Sequence, residues 1–111
     1  MEKLVFTVNR SDFYLAELEL DRDVKDLASS GTPEYSRFLR RTCPVWGAVM
    51  NLGLDRVWVG EQLIHVGEDC YRMTLSAQSL VAAWDYHVTT GERRPDWRDY
   101  AGKVFVAIKQ V

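Results

Sequence analysis

Two cysteines and two histidines hold most of the reactive chemistry available to this sequence. Cys43 immediately precedes Pro44, a residue suited to the first turn of a helix. A thiol at a helix N-terminus has its pKa lowered by the dipole, which makes Cys43 the best candidate for a nucleophile. A nucleophile also needs a base, and neither His65 nor His87 stands at a spacing that ties it to Cys43. The stronger expectation is a small apolar residue packed against Trp46 or Phe38. His65 and Cys70 flank the turn Gly67-Glu68-Asp69. A three-residue turn pairs Val66 with Cys70 and sets His65 opposite Tyr71, so that His65 and Cys70 point to opposite faces. Structural zinc normally takes four ligands, and two that diverge make no site. No Gly-rich phosphate loop, His-x-x-x-His pair, Cys-x-x-Cys pair or nucleophile elbow is present. The expectation is a chain with no catalytic residues, no metal and no cofactor.

Binding chemistry has a clearer candidate in the polar stretch from Gly91 to Tyr100. Arg93, Arg94 and Arg98 surround Trp97, with Tyr100 close by. Guanidinium groups grip anions through charge-assisted hydrogen bonds, and an aromatic ring can stack on a base or a cation. These four residues, Arg93, Arg94, Trp97 and Arg98, are the site expected for a small ligand such as a nucleotide signal. The stronger expectation for this stretch folds Trp97 back onto the core edge and pairs the arginines with neighbouring aspartates in a solvated loop.

The elements that must position these groups follow from local pattern. Leu4 to Val8 is rich in β-formers and ends at Asn9. Ser11 is placed to cap a helix, with Asp12 in its first turn. Phe13, Ala16, Leu20, Val24 and Leu27 share one face of that helix. Glu17, Glu19, Asp21, Asp23 and Asp26 form an acidic, solvated side. Ser29 to Pro33 stops it. A further helical stretch after Pro33 turns Tyr35, Phe38 and Leu39 inward, breaks near Arg41–Cys43, and resumes at Pro44 with Val45, Trp46, Val49 and Met50 buried. Three strands follow: Arg56–Val59, Gln62–Val66 and Tyr71–Leu75, joined through Gly60-Glu61 and Gly67-Glu68-Asp69. Ser76 caps a helix that buries Ala77, Leu80, Val81, Trp84 and Val88 and ends at Gly91. Val104 to Ile108 is the last strand.

This order predicts an α+β fold across residues 1–111: a mainly antiparallel sheet made of the N-terminal strand, the three-stranded meander and the C-terminal strand, with three to four helices. In the meander, Val57, Val59, Ile64, Val66 and Cys70 are expected to share the core face. Trp58, Leu63, His65, Tyr71 and Met73 then share the other. Trp58, Leu63, His65 and Tyr71 have the aromatic, amphipathic character of interface residues, so they are the expected partner-binding site, either for another protein or for a homodimer.

Composition bounds the partner classes. At 47% hydrophobic and 27% charged, 111 residues can bury a core without disulfides. Two cysteines are too few for a disulfide framework, and the N-terminal residues do not read as a signal peptide, so the chain is expected in the cytoplasm. The net charge of −2 excludes the basic excess that broad nucleic-acid affinity needs, and no apolar run is long enough for a membrane span.

The strand Val5-Phe6-Thr7-Val8, the helix start Cys43-Pro44-Val45 with Ala48 behind it, the meander, and a helix carrying Ala83-Trp84-Asp85 before Gly91 together resemble small uncharacterised proteins encoded by tailed phages and bacterial mobile elements. The acidic helix from Ser11 to Ser30 is longer than that pattern. The resemblance implies a phage-borne accessory protein with anti-defence inhibitors as functional neighbours, and it carries over no catalytic residue. The function expected is therefore a non-catalytic interaction protein, an inhibitor that binds a bacterial host or defence protein. The alternative is a small-molecule binder built on the loop at 93–98.

Overall fold

A computed structural model describes residues 2–30 and 43–111, and side chains for residues 2–20 and 43–111. The order is β1 (Lys3–Thr7), α1 (Arg10–Ser30), α2 (Pro44–Met50), β2 (Val57–Val59), β3 (Leu63–Val66), β4 (Asp69–Met73), α3 (Leu75–Thr90), a 3-10 turn (Trp97–Asp99) and β5 (Val104–Gln110). The five strands make one antiparallel sheet in the order β1-β5-β4-β3-β2. This is the expected α+β class. The helical stretch expected at Tyr35, Phe38 and Leu39 lies outside the described residues.

Each strand alternates, and one parity is buried except at the end of the sheet around Val66, Asp69 and Lys109. Leu4 and Phe6, Val57 and Val59, Ile64, Tyr71 and Met73, and Phe105 and Ala107 all lie in the core. Against them pack Phe13, Ala16 and Leu20 of α1, Val45, Ala48 and Val49 of α2, and Ala77, Leu80, Val81 and Trp84 of α3. Helix α2 contacts both β1 and β2, which stand at opposite ends of the sheet, so the sheet curls around its helices. The indole of Trp46 on α2 donates from Nε1 to the Val57 carbonyl at 3.0 Å, tying the helix to an edge strand.

Two helix starts differ from expectation by two residues each. Asn9, not Ser11, occupies the cap position of α1. Its backbone N–H donates to Asp12 Oδ2 at 2.8 Å, while the Asp12 N–H donates to the Asn9 carbonyl at 3.0 Å. The Asp12 carboxylate thus makes one half of a capping box, while its own N–H closes a backbone turn rather than meeting the Asn9 side chain. Thr74, not Ser76, precedes α3, and Gly91 closes it with φ of 72°.

The register between β3 and β4 corrects the expected faces. Val66 pairs with Asp69, so the turn has two central residues, Gly67 and Glu68. Positive φ at Gly67 alone fits the type II′ hairpin turn. Dropping one residue from the turn flips every side chain of β4. Tyr71 and Met73, expected beside Trp58 on the outer face, lie in the core and are each 2% exposed. Cys70, expected in the core, lies on the outer face opposite His65. The β2–β3 turn also moves, to Glu61–Gln62 between Gly60 and Leu63, but by an even step, so those faces stand as expected.

Candidate functional site

Among the described residues, the helices pack on the inner face of the sheet and leave its outer face uncovered. Its side chains form cross-strand rows. Trp58, His65, Cys70 and Gln110 make one row, Leu63, Arg72, Ile108 and Lys3 the next, and Val106 pairs with Val5 beyond it. Val5, Ile108 and Val104 are 45%, 49% and 64% exposed, large values for aliphatic strand residues. Trp58, Leu63 and His65 are half-buried. Three of the four expected partner-binding residues therefore stand together on this face, and Tyr71 does not. The sequence reading missed Val5, Val104, Val106 and Ile108. Their signal was the alternation of Leu4 and Phe6 with Val5, and of Phe105 and Ala107 with three exposed or half-exposed aliphatics.

The charge on this face is of one sign. The five strands contain a single carboxylate, Asp69, which has core-side parity at the sheet end and pairs with Lys109 at 3.7 Å. Arg72 and Lys3 are exposed on the outer face, and Arg72 donates to Gln62 Oε1 at 3.4 Å. His65 Nδ1 lies 3.1 Å from Cys70 Sγ. The two groups expected to diverge are in contact. No cluster of three or more metal-ligating side chains exists among the described residues.

Cys43 is the N-cap of α2 and accepts a 3.4 Å hydrogen bond from the Trp46 backbone N–H. Both the helix-start position and the stronger expectation, a small buried residue packed beside Trp46, agree with the structure. Burial pushes the thiol up to about 12, outweighing the hydrogen bond that favours the thiolate. Cys43 is 2% exposed and protonated at neutral pH, the opposite of what the nucleophile reading of this position requires.

The loop after Gly91 is held by internal contacts. Trp97 packs against the core, with the guanidinium of Arg10 4.7 Å and that of Arg98 5.2 Å from its ring centroid. Arg94 reaches Glu17 at 3.6 Å, and Arg98 reaches Asp96 at 3.5 Å. Arg93 is exposed. Glu17, expected on a solvated face, is instead half-buried between Arg94 and His87, whose Nε2 lies 3.3 Å from the same oxygen. His87 Nδ1 lies 2.6 Å from the Glu92 carbonyl, so it donates there and anchors the loop to α3. The four residues expected to hold a ligand are thus spread along a strapped-down segment, with Arg94 and Arg98 already facing carboxylates.

A groove of about 200 Å³ lies between α1 and α2, lined by Asp12, Leu15, Glu19, Cys43, Trp46 and Met50 among others. Asp12 is 2% exposed, and burial raises its pKa above 3.8 despite hydrogen bonds from the Asn9 N–H and from Asn51 Nδ2. Both of its oxygens are engaged: Oδ2 caps the start of α1 at Asn9, and Oδ1 ties α1 to Asn51 at the end of α2. The groove is smaller than the few hundred Å³ usual for ligand sites.

No protein-family model, curated protein or solved structure matches this chain. Among the described residues, no helix is long and apolar enough to cross a membrane.

Proposed function

We propose that this chain is a non-catalytic interaction protein that docks a protein partner on the outer face of its sheet. The observation that carries this reading is the band of Val5, Val106, Ile108, Leu63 and Trp58, an aliphatic and aromatic surface framed by Arg72 and Lys3. Contiguous exposed apolar patches rimmed by polar residues mark interaction sites, and this band runs across neighbouring strands of the sheet. On the resemblance to phage and mobile-element proteins, the partner is a bacterial host or defence protein that the chain inhibits by occupying its surface.

The test compares two variants in capture from bacterial lysate. Val5→Asp combined with Ile108→Asp places charge in the centre of the band. Arg94→Ala combined with Trp97→Ala alters the loop and leaves the sheet intact. A specific partner retained by the wild type and the loop variant, and lost by at least about tenfold with the sheet variant, is the expected result; that loss corresponds to about 1.4 kcal/mol. Retention by the sheet variant, or loss confined to the loop variant, would reject the docking face.

A further inference from the structure

We propose that Cys70 is a nucleophilic thiol served by His65 as its base, and that it forms mixed disulfides with small anionic disulfides. This chemistry requires no protein partner on the sheet. It rests on how β3 and β4 present the pair. Both residues sit within regular strands, directly opposite one another, with Sγ and Nδ1 3.1 Å apart. Both are half-buried on the outer face, so neither is sealed into the core, and the paired strands hold the ring beside the sulfur. The imidazole tautomer with its proton on Nε2 leaves Nδ1 free to accept the thiol proton, the arrangement that activates a cysteine nucleophile.

The reaction balances within the pair and the reagent. As Cys70 Sγ attacks one sulfur of R–S–S–R, its proton passes to His65 Nδ1. The reagent's S–S bond breaks and a Cys70–S–S–R bond forms. The departing R–S⁻ takes the proton and leaves as R–SH. Cys70 is oxidised to the disulfide level, and half of the reagent is reduced to thiol.

Charge selects the reagent. Arg72 lies two residues along β4 on the same face, about 7 Å away along the strand. Lys3 lies beyond Ile108 in Arg72's row, and the strands place no carboxylate on this face. An anionic disulfide such as oxidised glutathione is therefore drawn to the site, whereas a cationic one such as cystamine is repelled, within the roughly 10 Å over which charges act at 0.1 M salt.

Cys43 provides an internal comparison, since it is buried in the same molecule. The experiment treats the folded chain at pH 7 with oxidised glutathione and, separately, with cystamine, and follows adducts by intact mass and peptide mapping. One adduct, on Cys70, should form about tenfold faster than on a blocked cysteine amide, because an isolated thiol is only a few per cent thiolate at this pH. His65→Gln should bring the rate down to that of the blocked amide, with its thermal melting checked alongside. Oxidised glutathione should outpace cystamine, and Arg72→Gln should narrow that gap. A Cys70 rate equal to or below that of the blocked amide in the wild type would overturn the proposal without reference to any variant. An unchanged rate in folded His65→Gln would remove the base, and cystamine reacting faster would remove the preference for anions.

Discussion

At the scale of single residues, position in the chain revealed less than burial. Cys43 occupies the helix start that the Cys-Pro pair predicts, yet its thiol is raised and not lowered, because removal from water costs the thiolate more than a seven-residue helix returns. Asp12 shows the same competition. Its role as a cap was half legible in the sequence, but its bond from Asn51, at 3.0 Å, joins residues far apart in the chain and no local pattern shows it. Truncating Asp12 to Ala removes the cap bond at the start of α1 and the bond joining α1 to α2, and should cost about 1–3 kcal/mol in urea unfolding. The pH dependence has a definite sign. Burial raises the folded-state pKa above 3.8, so folded Asp12 holds its proton to higher pH than the unfolded chain does. Its contribution is then most favourable below 3.8 and declines as pH rises through the folded value. Asp12→Asn has no such proton. Unfolding measured from pH 3.5 to 6.5 should show the wild type losing stability relative to Asp12→Asn as pH rises, and a gap that is flat or of opposite slope would show that the hydrogen bonds outweigh burial.

At the scale of elements, existence and type were readable and register was not. Apolar spacing placed Phe13, Ala16 and Leu20 inward on α1 and Ala77, Leu80, Val81 and Trp84 inward on α3, where the structure has them. The error at β4 came from the turn: Gly67-Glu68-Asp69 suits three residues as well as two, and one residue decides every face beyond it. A stronger signal lay inside the strand. Tyr71 and Met73 bracket Arg72, so any register that puts them outside forces a guanidinium into the core, and that cost exceeds any preference of the turn. Turn glycines then fix what the strands require. Gly91 has φ of 72° with nothing within 4 Å of an added Cβ, whereas Gly67 has φ of 59° and a Cβ there would meet Arg56 Nη2 at 3.0 Å. Gly91→Ala should cost about 1 kcal/mol, the purely conformational penalty of a left-handed residue. Gly67→Ala should cost more, because Arg56 must also move. Denaturant midpoints for the two variants measure the difference, and equal losses would mean that the arginine yields freely.

At the scale of the whole molecule, the curl of the sheet separates its two faces functionally. The inner face wraps α2 and α3 and holds the core; the outer face keeps an apolar band that no described element covers. Neighbours on β5 make the contrast testable within two residues. Ala107 is fully buried and pairs with Leu4 and Met73, while Ile108, the next residue, is 49% exposed between Arg72 and Lys3. Ala107→Asp buries a carboxylate with no cation among those cross-strand partners and should cost about 3–5 kcal/mol, enough to unfold a domain of ordinary stability. Ile108→Asp puts the same group on the outer face beside two cations and should change stability by no more than about 0.5 kcal/mol. Thermal melting reads that comparison, and sedimentation of the folded variant adds a second reading. If the band pairs with another copy of this chain, wild type sediments as a dimer and Ile108→Asp as a monomer. If the band serves a different protein, both sediment as monomers and only capture of that partner is lost. An Ile108→Asp chain that unfolds as readily as Ala107→Asp would mean that the outer face belongs to the folding core, and the docking surface would then have to be sought elsewhere.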